Sequence, residues 1–373
     1  MAEAQQQQPQ LRIEKLLREM VNRGASDLHL RVGVPPVYRI NGALQRPFDV
    51  KVDAMLMDSF LDDIMNRDQK QRFEANKECD FAVGARDMGR FRVNVFRQRG
   101  SIAVVIRHIK AKIPAFSDLH LPEIVPEMAL TKRGLMLVTG TTGSGKSTTL
   151  AAMLDYINQK EAVNIITVED PIEYLYRDDK AIISQREIGV DTVSYANALR
   201  AALRQDPDVL LVGEIRDLET MQIALTAADT GHMVFATIHT TNATETVHRV
   251  LSMYPPHQHD EIRLLLSEVL AGIISLRLLP TKDGNGRVPA AEILVNTAAI
   301  KEYIKDKDKN DLIEQAIAEG HLQYHSQTFD QALLKLYEED KISLETAMNA
   351  ATNPDDFDLK VRGISGTSER TWM

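Results

Sequence analysis

The sequence predicts an α/β protein: a small α+β part followed by a larger part built on a parallel sheet. Three observations carry this. Up to about residue 110, short alternating strand patterns mix with amphipathic helices. Beyond 126, continuous apolar runs alternate with helix-length segments, the pattern of a parallel sheet covered on both faces. Between them Lys110–Pro126 holds three prolines and little periodicity, the signature of a linker.

The small part opens after residues 1–10, which are glutamine-rich and expected to be disordered. Ile13, Leu16, Leu17, Met20 and Val21 recur at helical spacing, and Gly24 ends the helix. Asp27–Val32 alternates like a strand, Pro35-Pro36 interrupts, and Val37–Ile40 resumes before the hairpin signal Asn41-Gly42. Ala54–Met65 reads as a helix, then Asp80–Val83, Arg90–Phe96 and Ile102–Ile109 as strands. In the larger part Leu135–Thr139, Ile165–Val168, Val209–Val212 and Met233–Thr237 read as buried strands. Helices are expected at Thr148–Asn158, Tyr195–Arg204 and Glu219–Ala228. From Thr297 the pattern is helical, with Thr328 and Gln331 forming a capping box ahead of Phe329–Tyr337. The expected domains are therefore 11–110, a linker at 111–126, 127–296, a helical region at 297–352, and a flexible tail at 353–373 carrying Trp372, the only tryptophan.

Composition narrows the function. With 373 residues, 44% hydrophobic and 26% charged, the chain has material for about two or three globular domains. Its formal charge, 44 − 53 = −9, argues against coating nucleic acid, which calls for a basic face. One cysteine, Cys79, makes neither an internal disulfide nor a multi-cysteine zinc site and fits a reducing cytoplasm. No apolar stretch nears the ~20 residues that span a bilayer, and MAEAQQQQPQ lacks a signal-peptide pattern. Secreted and membrane-spanning classes are thus not expected.

One motif carries chemistry directly. Gly140-Thr141-Thr142-Gly143-Ser144-Gly145-Lys146-Ser147 fits G-x-x-x-x-G-K-[ST], with a strand running in and a helix through Thr148 running out. Such a loop points backbone N–H groups and a helix N-terminus at phosphates. Lys146 is placed to reach the β- and γ-phosphates of ATP and Ser147 to hold Mg²⁺. Two further strands end in carboxylates at the edge where α/β sheets bind ligands. The first ends in Glu169-Asp170-Pro171-Ile172-Glu173, which alone reads equally as a solvated acidic turn. The second ends in Gly213-Glu214, the usual place for an acid supporting Mg²⁺ through water, with Glu where the broad class has Asp. His232 and His239 bracket the strand Met233–Thr237; His239 falls at its nucleotide-side end and His232 at the other.

Taken together, these segments resemble the type IV pilus retraction ATPases (the PilT/PilU family) of the bacterial secretion ATPase superfamily. The resemblance covers about 11–350 and rests on ASDLHLRVGVPP (25–36), GRFRVNVF (89–96), TGTTGSGKSTTLAAMLDYIN (139–158), ITVEDPIEY (166–174), QREIGVDT (185–192), ALRQDPDVLLVGEIRDLET (202–220) and TGHMVFATIHTTNA (230–243). It implies a PAS-like small domain and a RecA-like P-loop ATPase domain with C-terminal helices. It also implies a catalytic glutamate at Glu173 supported by Glu169 and Asp170, a Walker B glutamate at Glu214, and a histidine box at His232 and His239. Arg92 and Arg107, with Arg90 a weaker match, correspond to arginines supplied across a protomer interface. Implied partners are five further copies in a homohexamer, the inner-membrane pilus platform protein and a second retraction ATPase, but no nucleic acid. The implied location is the cytoplasmic face of the inner membrane. A C-terminal family motif, AIRNLI, reads Ala299-Ile300-Lys301-Glu302-Tyr303-Ile304 here. The rival expectations are a pilus-extension or secretion ATPase of the same superfamily and a nucleotide-sensing accessory subunit of a retraction ring.

Overall fold

In the alternating run Asp27–Arg31 (β1), Leu28 and Leu30 are fully buried while Arg31 is exposed, as strand periodicity requires. A computed structural model describes residues 11–40, 42–109 and 113–363, which fall into two units divided after residue 112. The expectations for residues 1–10, Asn41 and Trp372 lie outside the described residues.

The first unit is a six-stranded antiparallel sheet. Its strands are β1, Val37–Ile40 (β2), Ala43–Gln45 (β3), Glu78–Ala85 (β4), Gly89–Gln98 (β5) and Ser101–Ile109 (β6), in the order β3-β2-β1-β6-β5-β4. One face carries Leu28, Leu30, Phe91, Val93, Val95 and Ile106 into a core shared with Leu16 and Met20 of the helix Ile13–Asn22 and with Phe60 of the helix Ala54–Ile64. The opposite face is basic. Register aligns Arg39, Asp27, Arg107 and Arg92 across β2, β1, β6 and β5. A helix absent from the sequence reading, Arg67–Asn76, buries only Phe73, so apolar periodicity could not reveal it. Its legible sign is the capping box of Asn66 and Gln69.

The second unit holds a seven-stranded sheet: Gly134–Thr139 (β7), Asn164–Glu169 (β8), Ile182–Glu187 (β9), Val209–Val212 (β10), Met233–Ile238 (β11), Leu270–Pro280 (β12) and Arg287–Val295 (β13). The order is β13-β12-β7-β11-β10-β8-β9, and every pair is parallel except β12 with β13. Alternate residues feed two cores. Leu135, Leu137, Ile166, Val168, Leu210 and Val212 pack on one face against Leu199 and Leu225. Met136, Val138, Ile165, Leu211 and Phe235 pack on the other against Leu150 and Leu154. This two-sided burial is why these strands read as unbroken apolar runs.

Several elements depart from expectation. Residues 113–126, expected as linker, contain the helix Phe116–Leu119 and the start of Ile124–Ala129, whose Val125 and Met128 are buried in the second unit's core. The sequence reading passed over β9, β12 and β13. The helix His259–Val269 runs into β12 with no turn residue between them, so no boundary was visible. Finally, 353–363 is no loose tail: Asn353 caps the helix Pro354–Val361, and Phe357 packs in a cluster with Phe329 and Leu333. The Phe329–Glu338 helix opens with the expected Thr328–Gln331 capping box. The altered segment Ala299–Ile304 lies within the helix Ala298–Lys305, whose Lys301 and Lys305 both pair with Glu268, at 3.0 and 3.2 Å.

Candidate active site

All four central parallel strands exit on one edge, which collects Gly140, Asp170, Gly213 and His239. The loop after β7 is glycine-dependent where geometry demands it. Gly140 sits at φ +137°, and a Cβ there would lie 2.5 Å from both the Leu276 carbonyl oxygen and Ser144 Oγ. We expect Gly140→Ala to cost about 1–3 kcal/mol in backbone strain and to open the loop, read as a lower melting temperature together with weakened nucleotide binding. Gly143 and Gly145 also take positive φ, and the helix Lys146–Lys160 starts there with its first N–H groups uncapped by side chains. Lys146 is buried, and its ammonium donates to the carbonyls of Gly140 at 2.7 Å and Thr141 at 2.9 Å. Burial lowers its pKa, and Glu214 counteracts this. Thr141, Thr142, Gly143 and Ser147 are exposed, and Ser144 Oγ is buried without a partner. An open loop of N–H groups with a spare buried hydroxyl fits a polyphosphate.

The acidic loop after β8 is anchored from below. Glu169 is buried and accepts from Thr167 Oγ1 at 2.6 Å, from Gln185 Nε2 at 3.1 Å and from the backbone N–H of Glu173. Burial raises its pKa, and these three hydrogen bonds pull it back down. Gln185 on β9 also donates to the Tyr174 carbonyl at 2.8 Å and accepts from the Tyr176 N–H at 3.1 Å. The Tyr174 hydroxyl bonds Thr148 Oγ1 at 3.0 Å, tying this loop to the P-loop helix. Glu173 itself is exposed.

Glu214 sits between Arg216 Nη2 at 2.6 Å, His239 Nε2 at 3.4 Å and, at longer range, the Lys146 ammonium. The hydrogen bond from Arg216 chiefly holds its carboxyl below the usual range, leaving it an anion able to act on a cation's water shell. No cluster of three acidic, histidine or cysteine side chains forms a protein metal cage among the described residues. Ser147 and Glu214 suit a Mg²⁺ that keeps several waters and takes its other oxygens from phosphate.

Lys146, Ser147, Glu173, Glu214 and His239 thus share one unit and one sheet edge. His232 does not join them. Met233 pairs with Gly134 and Ile238 with Thr139, so the seven steps across β11, at ~3.3 Å each, put the two histidines about 23 Å apart. His232 Nδ1 instead approaches the Ala227 carbonyl, 2.9 Å away, beside a cavity of about 330 Å³ at the far edge. Arg92 and Arg107 pair directly across β5 and β6 in the other unit, and Arg107 Nε donates to Asp27 Oδ1 at 2.9 Å. Sequence reasoning missed Gln185, Tyr174 and Tyr195, whose hydroxyl lies close to Gly213; QREIGVDT marked the first by resemblance without a role.

A phosphate loop between strand and helix, with carboxylates from the neighbouring strands at the same edge, defines a P-loop nucleotide-binding ATPase fold. Within that class the chain belongs to the family described as type II/IV secretion system protein, whose profile matches residues 3–345. It is 43% identical over 345 residues to the Type IV pilus retractation ATPase PilT of Pseudomonas aeruginosa, covering 92% of this chain and 99% of that one. To the Type IV pilus ATPase PilU of the same organism it is 40% identical over 352 residues, covering 94% and 92%. A crystal structure of the pilus retraction motor PilT with bound ADP superposes with a TM-score of 0.86 at 46% identity, covering 93% of this chain and 98% of that one.

Proposed function

We propose that this chain is a Mg²⁺-dependent ATPase motor that works as a homohexamer to power type IV pilus retraction. The observation that carries the reading is the convergence of Lys146, Ser147, Glu173 and Glu214 on one sheet edge, in a chain of which 92% aligns with a pilus retraction ATPase. ATP is held by the N–H groups of 140–148, and Lys146 exchanges its two loop carbonyls for phosphate oxygens. Glu173 orients the attacking water and takes its proton. Ser147, and Glu214 through water, would hold a Mg²⁺, which would supply neutralising charge beside the β- and γ-phosphates. Arg92 and Arg107 of a neighbouring copy offset the charge that develops on the transferred group. His239, in contact with Glu214, links the phosphate end of the site to the helix Ala243–Ser252.

Turnover is coupled to movement of the small unit relative to the large one, and the force passes to the pilus platform protein at the inner membrane, with a second retraction ATPase as co-worker. The motor sits at the cytoplasmic face of the inner membrane on this reading; no described helix is long and apolar enough to cross a membrane. Two measurements test this. The purified oligomer is expected to release phosphate from ATP only with Mg²⁺, and a deletion strain to assemble pili that do not retract. Loss of pilus assembly instead would identify an extension motor.

A further inference from the structure

The loop that carries His239 away from β11 is held mostly by itself. Thr240 Oγ1 meets Thr246 Oγ1 at 2.7 Å, Thr241 N–H and Oγ1 both donate to Glu245 Oε2 at 2.6 Å, and Asn242 caps the Glu245 N–H. One bond is different in kind: the Ala243 N–H donates at 2.6 Å to Glu292 Oε1, 49 residues further on. Glu292 is buried in the interior of β13, and the same oxygen accepts Ser275 Oγ of β12 at 3.2 Å. Register sets Ile238, Thr139, Ser275 and Glu292 in one row across β11, β7, β12 and β13. The residues that follow the first two strands are His239 and Gly140. Thr139 Oγ1, in the middle of the row, is buried without a partner.

We propose that Glu292 is a positioning residue for the ATPase reaction. Its carboxylate fixes the start of the helix Ala243–Ser252 against β13 and, through Ser275, against β12 beside the P-loop strand β7, and so sets His239 against Glu214. The inference rests on the ATPase reading and adds a residue that touches neither nucleotide nor metal. An anion suits the place, because the Ala243 N–H is among the first of a helix and carries its partial positive charge. Protonating the carboxyl weakens that bond and loosens the loop. The surroundings put this change within reach: burial pushes the Glu292 carboxyl up to about 7, against the pull of the Ala243 N–H and the Ser275 hydroxyl. The charged groups facing it are Arg277 from β12, which favours the anion, and Glu314 from the helix Ile313–Glu319, which opposes it. The helix Ala243–Ser252 offers it the Ala243 N–H.

The test compares wild type with Glu292→Gln, which keeps the size and an acceptor oxygen but cannot ionise. In nucleotide-free oligomer, hydrogen exchange of the peptide 239–250, corrected for its intrinsic pH dependence, is expected to speed up as pH falls from 8 to 6. In Glu292→Gln it should stay fast throughout. Turnover should follow the same inflection in wild type; in the variant kcat at pH 8 should be lower by about five- to tenfold, with KM for ATP within about twofold. In a His239→Ala background Glu292→Gln should cost nothing further. Glu292→Asp should restore an inflection. If Glu292→Gln fails to fold, Ser275→Ala serves. It removes a bond that favours the anion, so the inflection should move to higher pH. A retained inflection in Glu292→Gln, additive loss with His239→Ala, or an unmoved inflection in Ser275→Ala overturns the proposal. A wild type with the exchange behaviour but no turnover would instead overturn the ATPase reading and leave the loop anchor standing.

Discussion

Replacing Glu173 by Gln is expected to leave ATP binding within about twofold and to cut turnover by about 10²–10⁴-fold, the range a positioned general base supplies. The amide keeps the side chain's length and one acceptor oxygen, so water can still be oriented, but its proton has nowhere to go. The loop should not move, because its anchors lie elsewhere: Glu169 accepts the Glu173 backbone N–H, Gln185 holds Tyr174 and Tyr176, and the Tyr174 hydroxyl reaches Thr148. Equilibrium binding of a fluorescent ATP analogue and phosphate release, measured on the same preparation, separate the two effects. Turnover within about threefold of wild type would remove Glu173 from the base position.

Mixing two dead proteins is expected to restore activity. Arg92→Ala alone should lose about 10³–10⁵ in rate if its guanidinium completes a neighbour's site. Glu173→Gln should be inert for a reason confined to the site of its own copy. In a ring assembled head to tail from equal amounts of both, about a quarter of the interfaces join an intact Glu173 to an intact Arg92. Phosphate release near a quarter of wild type is the expected reading, and it should vanish on dilution to monomers. An inactive mixture, or an active Arg92→Ala protein, would mean that each copy hydrolyses ATP unaided. Arg107 is the poorer choice for this experiment, because its bond to Asp27 would be broken as well.

What could be read from the sequence was what is contiguous. The P-loop, the carboxylates at the ends of β8 and β10, and His239 all follow from a strand running into the next few residues. Strand direction alone set His232 at the wrong end, and the register of β11 on β7 agrees. The supports were not legible. Gln185 meets Glu169 across 16 residues, and Glu292 meets Ala243 across 49. Nothing in a short polar strand such as IISQRE, or in one glutamate within an apolar run, advertises such a partner. β12 was hidden because a helix feeds it without a break, and the helix Pro354–Val361 because its burial rests on Phe357 alone.

On the ATPase reading, the two carbonyls that already accept from Lys146 turn nucleotide capture into a swap. Each bond to a charged donor is worth about 1.5–3 kcal/mol, and both must be relinquished before the ammonium can turn outward. A single phosphate gives back too little, whereas the adjoining terminal groups of a triphosphate offer several anionic oxygens at once. On the ATPase reading, discrimination by tail length is built into the loop bonds of one side chain, ahead of any contact with base or sugar.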